Sequence, residues 1–220
     1  MTDTLLSWSS GKDSAWTLQV LRQHPDTRPC GLFTTVGAGS GRVASHEVPR
    51  GLVEAQARAA GLPIDFIPLP QPCSNADYEV AMRHYLDSAL TRGVTRCAFG
   101  DLLLDDVRQY REKSMEGSGI EPLFPIYGSD TGELARAMVH AGVRAVIVAV
   151  DTRRLPLEFL GRVFDDRLLA DLPAGVDPCG ENGEFHSFAT DGPMFTEPVR
   201  VRVGDTFERG GYAYADLRAG

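Results

Sequence analysis

Two short stretches of this 220-residue chain carry side chains whose types and spacing could do chemistry. The first, Ser9-Ser10-Gly11-Lys12-Asp13-Ser14, follows the apolar pair Leu5-Leu6 and precedes a helical pattern. A hydroxyl-rich turn that opens a helix presents unpaired backbone N–H groups, and such groups bind anions, phosphate above all. Ser and Asp are also preferred helix caps, so an ordinary capped helix is the competing interpretation. The second stretch is Glu181-Asn182-Gly183-Glu184-Phe185-His186. Two carboxylates and an imidazole this close together suit acid–base or metal-ligand chemistry, while a solvent-exposed turn is the plainer alternative. Gly180 and Gly183 allow backbone conformations that other residues avoid.

The ATPase P-loop would need a glycine at position 6 and Ser or Thr at position 13; Leu6 and Asp13 stand there, so that motif is absent. The six residues from Ser9 instead resemble the PP-loop of ATP pyrophosphatases, Ser-Gly-Gly-x-Asp-Ser. Ser10 departs from it where the pattern has glycine, and its side chain narrows the room for a phosphate.

The elements that must position these residues read as alternating strands and helices. Ala15, Leu18 and Leu21 recur at helical spacing until Pro25 ends the run, and Cys30 to Val36 is a buried strand. A helix between two strands implies a parallel pair and a crossover. A second helix spans about 50–60, with His46 and Glu47 on the loop before it; His46 is a candidate ligand contact. As adjacent residues the two do not share a face, which argues against a metal site made from them alone. A third strand is expected over 64–69, a third helix from Asn75 to Gly93, and a fourth strand from Arg96 to Gly100. Asp101 then stands at a carboxyl strand end, beside the Ser9–Ser14 loop if the two strands are neighbours, although a turn or cap aspartate is an equal alternative. A helix over about 106–117 carries Arg108, Arg111 and Lys113, either a solvated face or cations near a phosphate. Glu121 to Tyr127 is extended. A capped helix and the strand Ala145–Val150 follow, and the texture then shifts to short elements. The expected division is 1–126 for nucleotide binding and 127–220 for a smaller subdomain.

Composition is that of an ordinary globular chain with 43% hydrophobic residues and a formal charge of −8. Lys and Arg are scattered, which weighs against a dedicated nucleic-acid binder. Cys30, Cys73, Cys97 and Cys179 form no Cys-x-x-Cys pair, so neither zinc nor iron–sulfur binding is suggested. The N-terminus lacks a signal-peptide pattern and no apolar run reaches membrane-spanning length, so a cytoplasmic protein is expected.

Taken together the blocks resemble one family, the diphthine–ammonia ligase type of PP-loop ATPase, or adenine nucleotide alpha hydrolase-like proteins. The family's distal signature, Glu-Gly-Gly-Glu-aromatic-His-Thr, is met by Glu181 to Ser187 with Asn182 and Ser187 as departures. Phe99-Gly100-Asp101, Arg111-Glu112-Lys113 and Gly119 to Tyr127 match its middle blocks. The resemblance implies an α/β fold: a HUP-type, Rossmann-like parallel sheet sandwiched by helices, with a smaller α+β C-terminal subdomain. It also implies a ligase in which a substrate carboxylate displaces pyrophosphate from ATP and the acyl-adenylate is amidated by ammonia with release of AMP. Ser9, Ser10, Gly11, Lys12, Asp13 and Ser14 would hold the phosphates, Thr34 and Thr35 would lie near the adenosine, and Gly100 and Asp101 would complete the nucleotide site. Asp13 and Asp101 are the candidates for Mg²⁺. Lys12, Asp13, Glu181, Glu184 and His186 would be catalytic, and His46, Arg111, Glu181, Gly183 and Glu184 would meet the acceptor. That acceptor is a carboxylate on an elongation factor 2-like protein or on a small molecule, with a corrinoid-related compound as one bacterial possibility. A non-catalytic nucleotide sensor of the HUP type is the alternative, and a homodimer is left open.

Overall fold

The computed structural model describes residues 1–43 and 46–220. Its first half is a β/α alternation: β1 (Thr2–Ser7), α1 (Lys12–Gln23), β2 (Thr27–Gly37), α2 (Arg50–Ala60), β3 (Ile64–Leu69), α3 (Asn75–Thr91), β4 (Arg96–Ala98), α4 (Asp105–Met115) and β5 (Glu121–Leu123). All four pairings are parallel and the strand order is β3-β2-β1-β4-β5. Order reverses between β1 and β4, and in such sheets a crevice opens outside the carboxyl strand ends at that point. The adjacency of β1 and β4 meets the condition on which Asp101 was expected beside the Ser9–Ser14 loop.

The second half holds α5 (Thr131–His140), β6 (Arg144–Asp151), α6 (Asp166–Asp171), β7 (Phe185–Asp191), β8 (Val201–Arg209) and β9 (Tyr212–Ala219). Its sheet is antiparallel in the order β7-β6-β9-β8. The chain is therefore α/β, a Rossmann-like layer joined to a smaller antiparallel one.

Alternation along β1 sends Leu5 and Leu6 to opposite faces, each into its own apolar cluster. Leu5 meets Phe33, Leu86, Cys97 and Phe99 beneath α3 and α4. Leu6 belongs to a larger cluster that takes in Trp8, Leu18 and Leu32 and continues without a break into Ile147, Phe164, Phe188 and Leu217 of the second half. One core thus spans both sheets. Among the described residues, no helix is long and apolar enough to cross a membrane.

The hairpin β8–β9 was not read from the sequence, and the extended segment after Gly119 is shorter than expected, pairing only over β5. A hairpin signal was nonetheless present. Gly210-Gly211 separates two polar-flanked β-prone runs, and both glycines adopt positive φ, 60° and 87°, as a two-residue hairpin loop demands.

Candidate active site

A cavity of about 790 Å³ lies outside the carboxyl ends of β1 and β4, and β7 with the loop before it closes the other side. The Ser9–Ser14 turn forms its floor. Gly11 is the N-cap of α1 and no side chain of the turn caps the helix, so the plain-cap interpretation fails. Ser9 Oγ instead meets Ser14 Oγ at 3.2 Å, and Ser14 Oγ donates to the Gly11 carbonyl at 3.0 Å. From across the cleft, Ser187 Oγ of β7 accepts the Lys12 N–H at 3.2 Å. Gly100 comes so close to this helix that a β-carbon there would fall 3.2 Å from the Ser14 nitrogen and 3.0 Å from Thr17 Oγ1.

Lys12 is the charged centre. Its ammonium is buried, lies 2.9 Å from both Asp13 carboxylate oxygens, donates to the Cys179 carbonyl and sits over the Phe164 and Phe185 rings. Burial is the largest single influence and opposes its charge, but Asp13, Cys179 and Glu181 together outweigh it and the net shift is upward, so it stays protonated. Across the cavity Arg111 Nε donates to Asp101 Oδ2 at 2.6 Å while its guanidinium covers the Phe99 ring. Both candidate metal-ligating carboxylates, Asp13 and Asp101, line the same cavity. Among the described residues, no cluster of three or more His, Cys, Asp or Glu could hold a metal unaided.

The second stretch splits in two. Glu181 lines the cavity, and its carboxyl is pushed up from 4.5 to about 7, chiefly by burial and then by the charges of Asp13 and Asp177, against the pull of Lys12. Glu184 does not line it. Its buried carboxylate accepts the Asp177 N–H, the Asn182 N–H at 3.0 Å and the Asn182 side-chain amide, with Arg154 at 3.6 Å, and so closes the turn that presents Glu181. The expectation that Glu184 touches reactants is thus corrected: its neighbour donors point inward at the base of the turn. Gly183, with φ 80°, has its carbonyl bonded by the Tyr212 hydroxyl at 2.8 Å. His186 stacks between His46 and Tyr212, with ring centroids 4.8 and 5.7 Å away. Burial is the main cause that holds His46 down at about 3 and His186 at about 4, so both are neutral imidazoles. His46 Nδ1 lies 3.0 Å from the Ser187 carbonyl, which can only accept, so Nδ1 carries the proton and Nε2 is a free acceptor.

Ser9, Lys12, Asp13, Ser14, Gly100 and Asp101 therefore meet in one cavity with His46, Arg111, Glu181, Gly183 and His186. Besides Glu184, four expected residues lie elsewhere. Ser10 is wholly buried at φ 73° with its hydroxyl turned into the protein and without a partner, so it does not face a phosphate. Gly11 sits under His46, whose Cε1 would be 3.0 Å from an added β-carbon. Thr34 and Thr35 pair with β3 on the far side of β1 from the switch point, away from the cavity. In their place the structure offers the apolar wall of Phe99, Leu104 and Val107. Sequence reasoning also missed Arg154, which lines the cavity and donates to the Asn182 carbonyl at 2.6 Å. No motif marks it; only the fold of β6 onto β7 brings it there.

Parts of the chain are similar to known proteins. The model of the diphthamide synthase C-terminal domain matches residues 130–218. The chain is 28% identical over 123 residues to the diphthine–ammonia ligase of Homo sapiens, covering 54% of this chain and 46% of that protein. It is 26% identical over 141 residues to the diphthine–ammonia ligase of Danio rerio, covering 62% and 54%. The chain spans about half the length of the curated relatives it matches. Over part of its length the chain is thus similar to the diphthamide synthase C-terminal domain and to relatives that all carry a ligase name.

Proposed function

We propose that this protein is an AMP-forming, ATP-dependent amide ligase that adenylates a carboxylate and transfers ammonia to it. The observation that carries the reading is one cavity at the switch point in which a helix N-terminus, a buried lysine, two carboxylates and Glu181 face one another. The N–H groups of Asp13 and Ser14 in the first turn of α1, with Lys12, suit the negative charge of a departing pyrophosphate, and stabilising developing charge is usually the largest catalytic term. The base would rest on the Phe99, Leu104 and Val107 wall.

In the first step a carboxylate oxygen of the acceptor bonds to the α-phosphorus and the bond to pyrophosphate breaks. In the second, ammonia attacks the acyl carbon, AMP leaves, and the nitrogen gives up a proton. Ammonium is not nucleophilic until deprotonated. Glu181, poised near 7, is suited to take that proton. Neutral His46 and His186 add hydrogen-bonding nitrogens without adding positive charge that would repel ammonium. Mg²⁺ fits the donor set: hard carboxylate oxygens from Asp13 and Asp101, completed by phosphate oxygens, are the ligands it prefers. When bound it supplies charge neutralisation to the phosphates. Arg111 meanwhile fixes the Asp101 carboxylate, and Lys12 that of Asp13.

The relatives' name specifies diphthine as acceptor and ammonia as donor. Carried to this chain, it makes a carboxylate the group to be amidated, whether on a protein side chain or a small molecule. The test is incubation with ATP, Mg²⁺, ammonium and candidate carboxylates while pyrophosphate and AMP are followed. Acceptor-dependent release of both is expected. Release of ADP and phosphate would overturn the reading.

A further inference from the structure

Gln56 is the one polar side chain on the buried face of α2, among Leu52, Val53, Ala57, Ala59 and Ala60, and it has no exposed surface. A buried amide destabilises a core unless its donors and acceptor are all satisfied. Here they are. Nε2 donates to the Ser10 carbonyl at 3.0 Å and to the Ala189 carbonyl at 2.7 Å, and Oε1 accepts from Trp8 Nε1 at 2.8 Å. The orientation is fixed by chemistry, because two carbonyls can only accept and an indole N–H can only donate. One side chain therefore ties together the strand exit at Trp8, the anion loop at Ser10 and β7 at Ala189.

The consequence falls on a single peptide plane. The Ser10 carbonyl takes both the Gln56 amide and the Ala189 N–H, the latter at 2.9 Å, and is thereby anchored in the interior. A trans peptide is planar with its N–H opposed to its C=O, so the Gly11 N–H is directed the other way. It points to Ser9 Oγ, 3.3 Å off, on the cavity wall. Holding the carbonyl inward also stabilises the left-handed backbone that Ser10 adopts and keeps a repulsive oxygen away from the anion.

We infer that Gln56, though remote from the cavity, is a positioning residue of the anion loop: by anchoring the Ser10 carbonyl it turns the Ser10–Gly11 peptide so that its N–H, and not its oxygen, holds the cavity-lining Ser9 hydroxyl. This rests on the ATP-binding reading given above. The experiment compares ATP and inorganic pyrophosphate affinity, by calorimetric titration well below Tm, for the wild type, Gln56→Met, Trp8→Phe and Val53→Ala. Gln56→Met keeps the shape but not the bonds, and is expected to weaken both ligands at least tenfold. Trp8→Phe removes the bond to Oε1 and some core packing but leaves both Gln56 Nε2 bonds, so it should weaken the two ligands less, which keeps the test alive if Gln56→Met does not fold. Val53→Ala opens the same helix face without touching Ser10, and should lower Tm while leaving both affinities within twofold. Unchanged affinity in Gln56→Met, or an equal loss in Val53→Ala, overturns the role of Gln56. A wild type that binds neither ligand overturns the ATP reading as well, so the two failures are told apart.

Discussion

Ser10 holds a left-handed backbone with φ 73° and buries a hydroxyl that has no partner. Each feature destabilises, since a side chain in that region is disfavoured and an unpaired buried hydroxyl keeps its desolvation penalty. Ser10→Gly is therefore expected to stabilise the fold by about 1 kcal/mol, raising Tm by roughly 2–4 °C in a scan, with ATP affinity undiminished. A lower Tm in that variant would show that the serine is needed where it stands. Glu181 makes a second prediction. Its carboxyl titrates at about 7 in the fold against 4.5 when free, so the folded state binds the proton more tightly. Stability contributed by this proton is present at low pH and is lost as pH rises from about 4.5 to about 7. Glu181→Gln should flatten that window in urea melts taken across pH. Under the proposed mechanism activity runs the opposite way, since a Glu181 base would have to be ionised: ammonia-dependent turnover should fall below about pH 7 and drop by roughly 10²–10⁴ in Glu181→Gln. The sequence offered Glu181 and Glu184 as equals. Which carboxylate reaches the cavity depends on the turn between Asp177 and Gly183, and its hydrogen bonds join groups too far from any periodic pattern to be read in advance.

At the scale of elements, Glu184 is the keystone of that turn. Glu184→Gln retains most of its acceptor geometry through the remaining oxygen, so it should keep substantial amide formation, whereas Glu184→Ala orphans two backbone N–H groups and should lose about 1–3 kcal/mol of stability. Complete loss of turnover in Glu184→Gln with normal Tm would restore a chemical role. The close crossing of the β4 exit and α1 yields another test. Gly100→Ala would press a β-carbon against the Ser14 nitrogen, so nucleotide binding should weaken more than Tm falls in a titration paired with a melt. The parallel strands were legible because they are short apolar or β-branched runs set between helical repeats, and β1, β2 and β3 fall where that pattern put them. The β8–β9 hairpin was not. Its first strand, β8, is mostly solvent-facing, with Arg202, Asp205, Glu208 and Arg209 interrupting the apolar alternation that marks a half-buried strand.

Across the whole molecule, the expected division at residue 126 separates the two sheets but not the core. Leu6, Trp8 and Leu18 pack in the same cluster as Phe164, Phe188 and Met194, and Lys12 keeps its buried bonds to Cys179 while Ser187 holds its N–H. A fragment of residues 1–126 would expose this face and is expected to show no dispersed amide spectrum and no cooperative melt; a folded fragment with normal ATP affinity would contradict the shared core. Ion pairs add a peripheral tie. Arg42 to Asp216 and Arg209 to Glu47, each at 2.8 Å, clip the loop that delivers His46 to the C-terminal hairpin.

The bond from the Ala189 N–H to the Ser10 carbonyl also sets an order of events in synthesis. The Ser9–Ser14 loop leaves a ribosome well before β7 does, yet its shape waits for that strand. Until β7 has emerged and docked, the loop has its residues without its geometry, so the binding competence proposed above should switch on only when β7 docks.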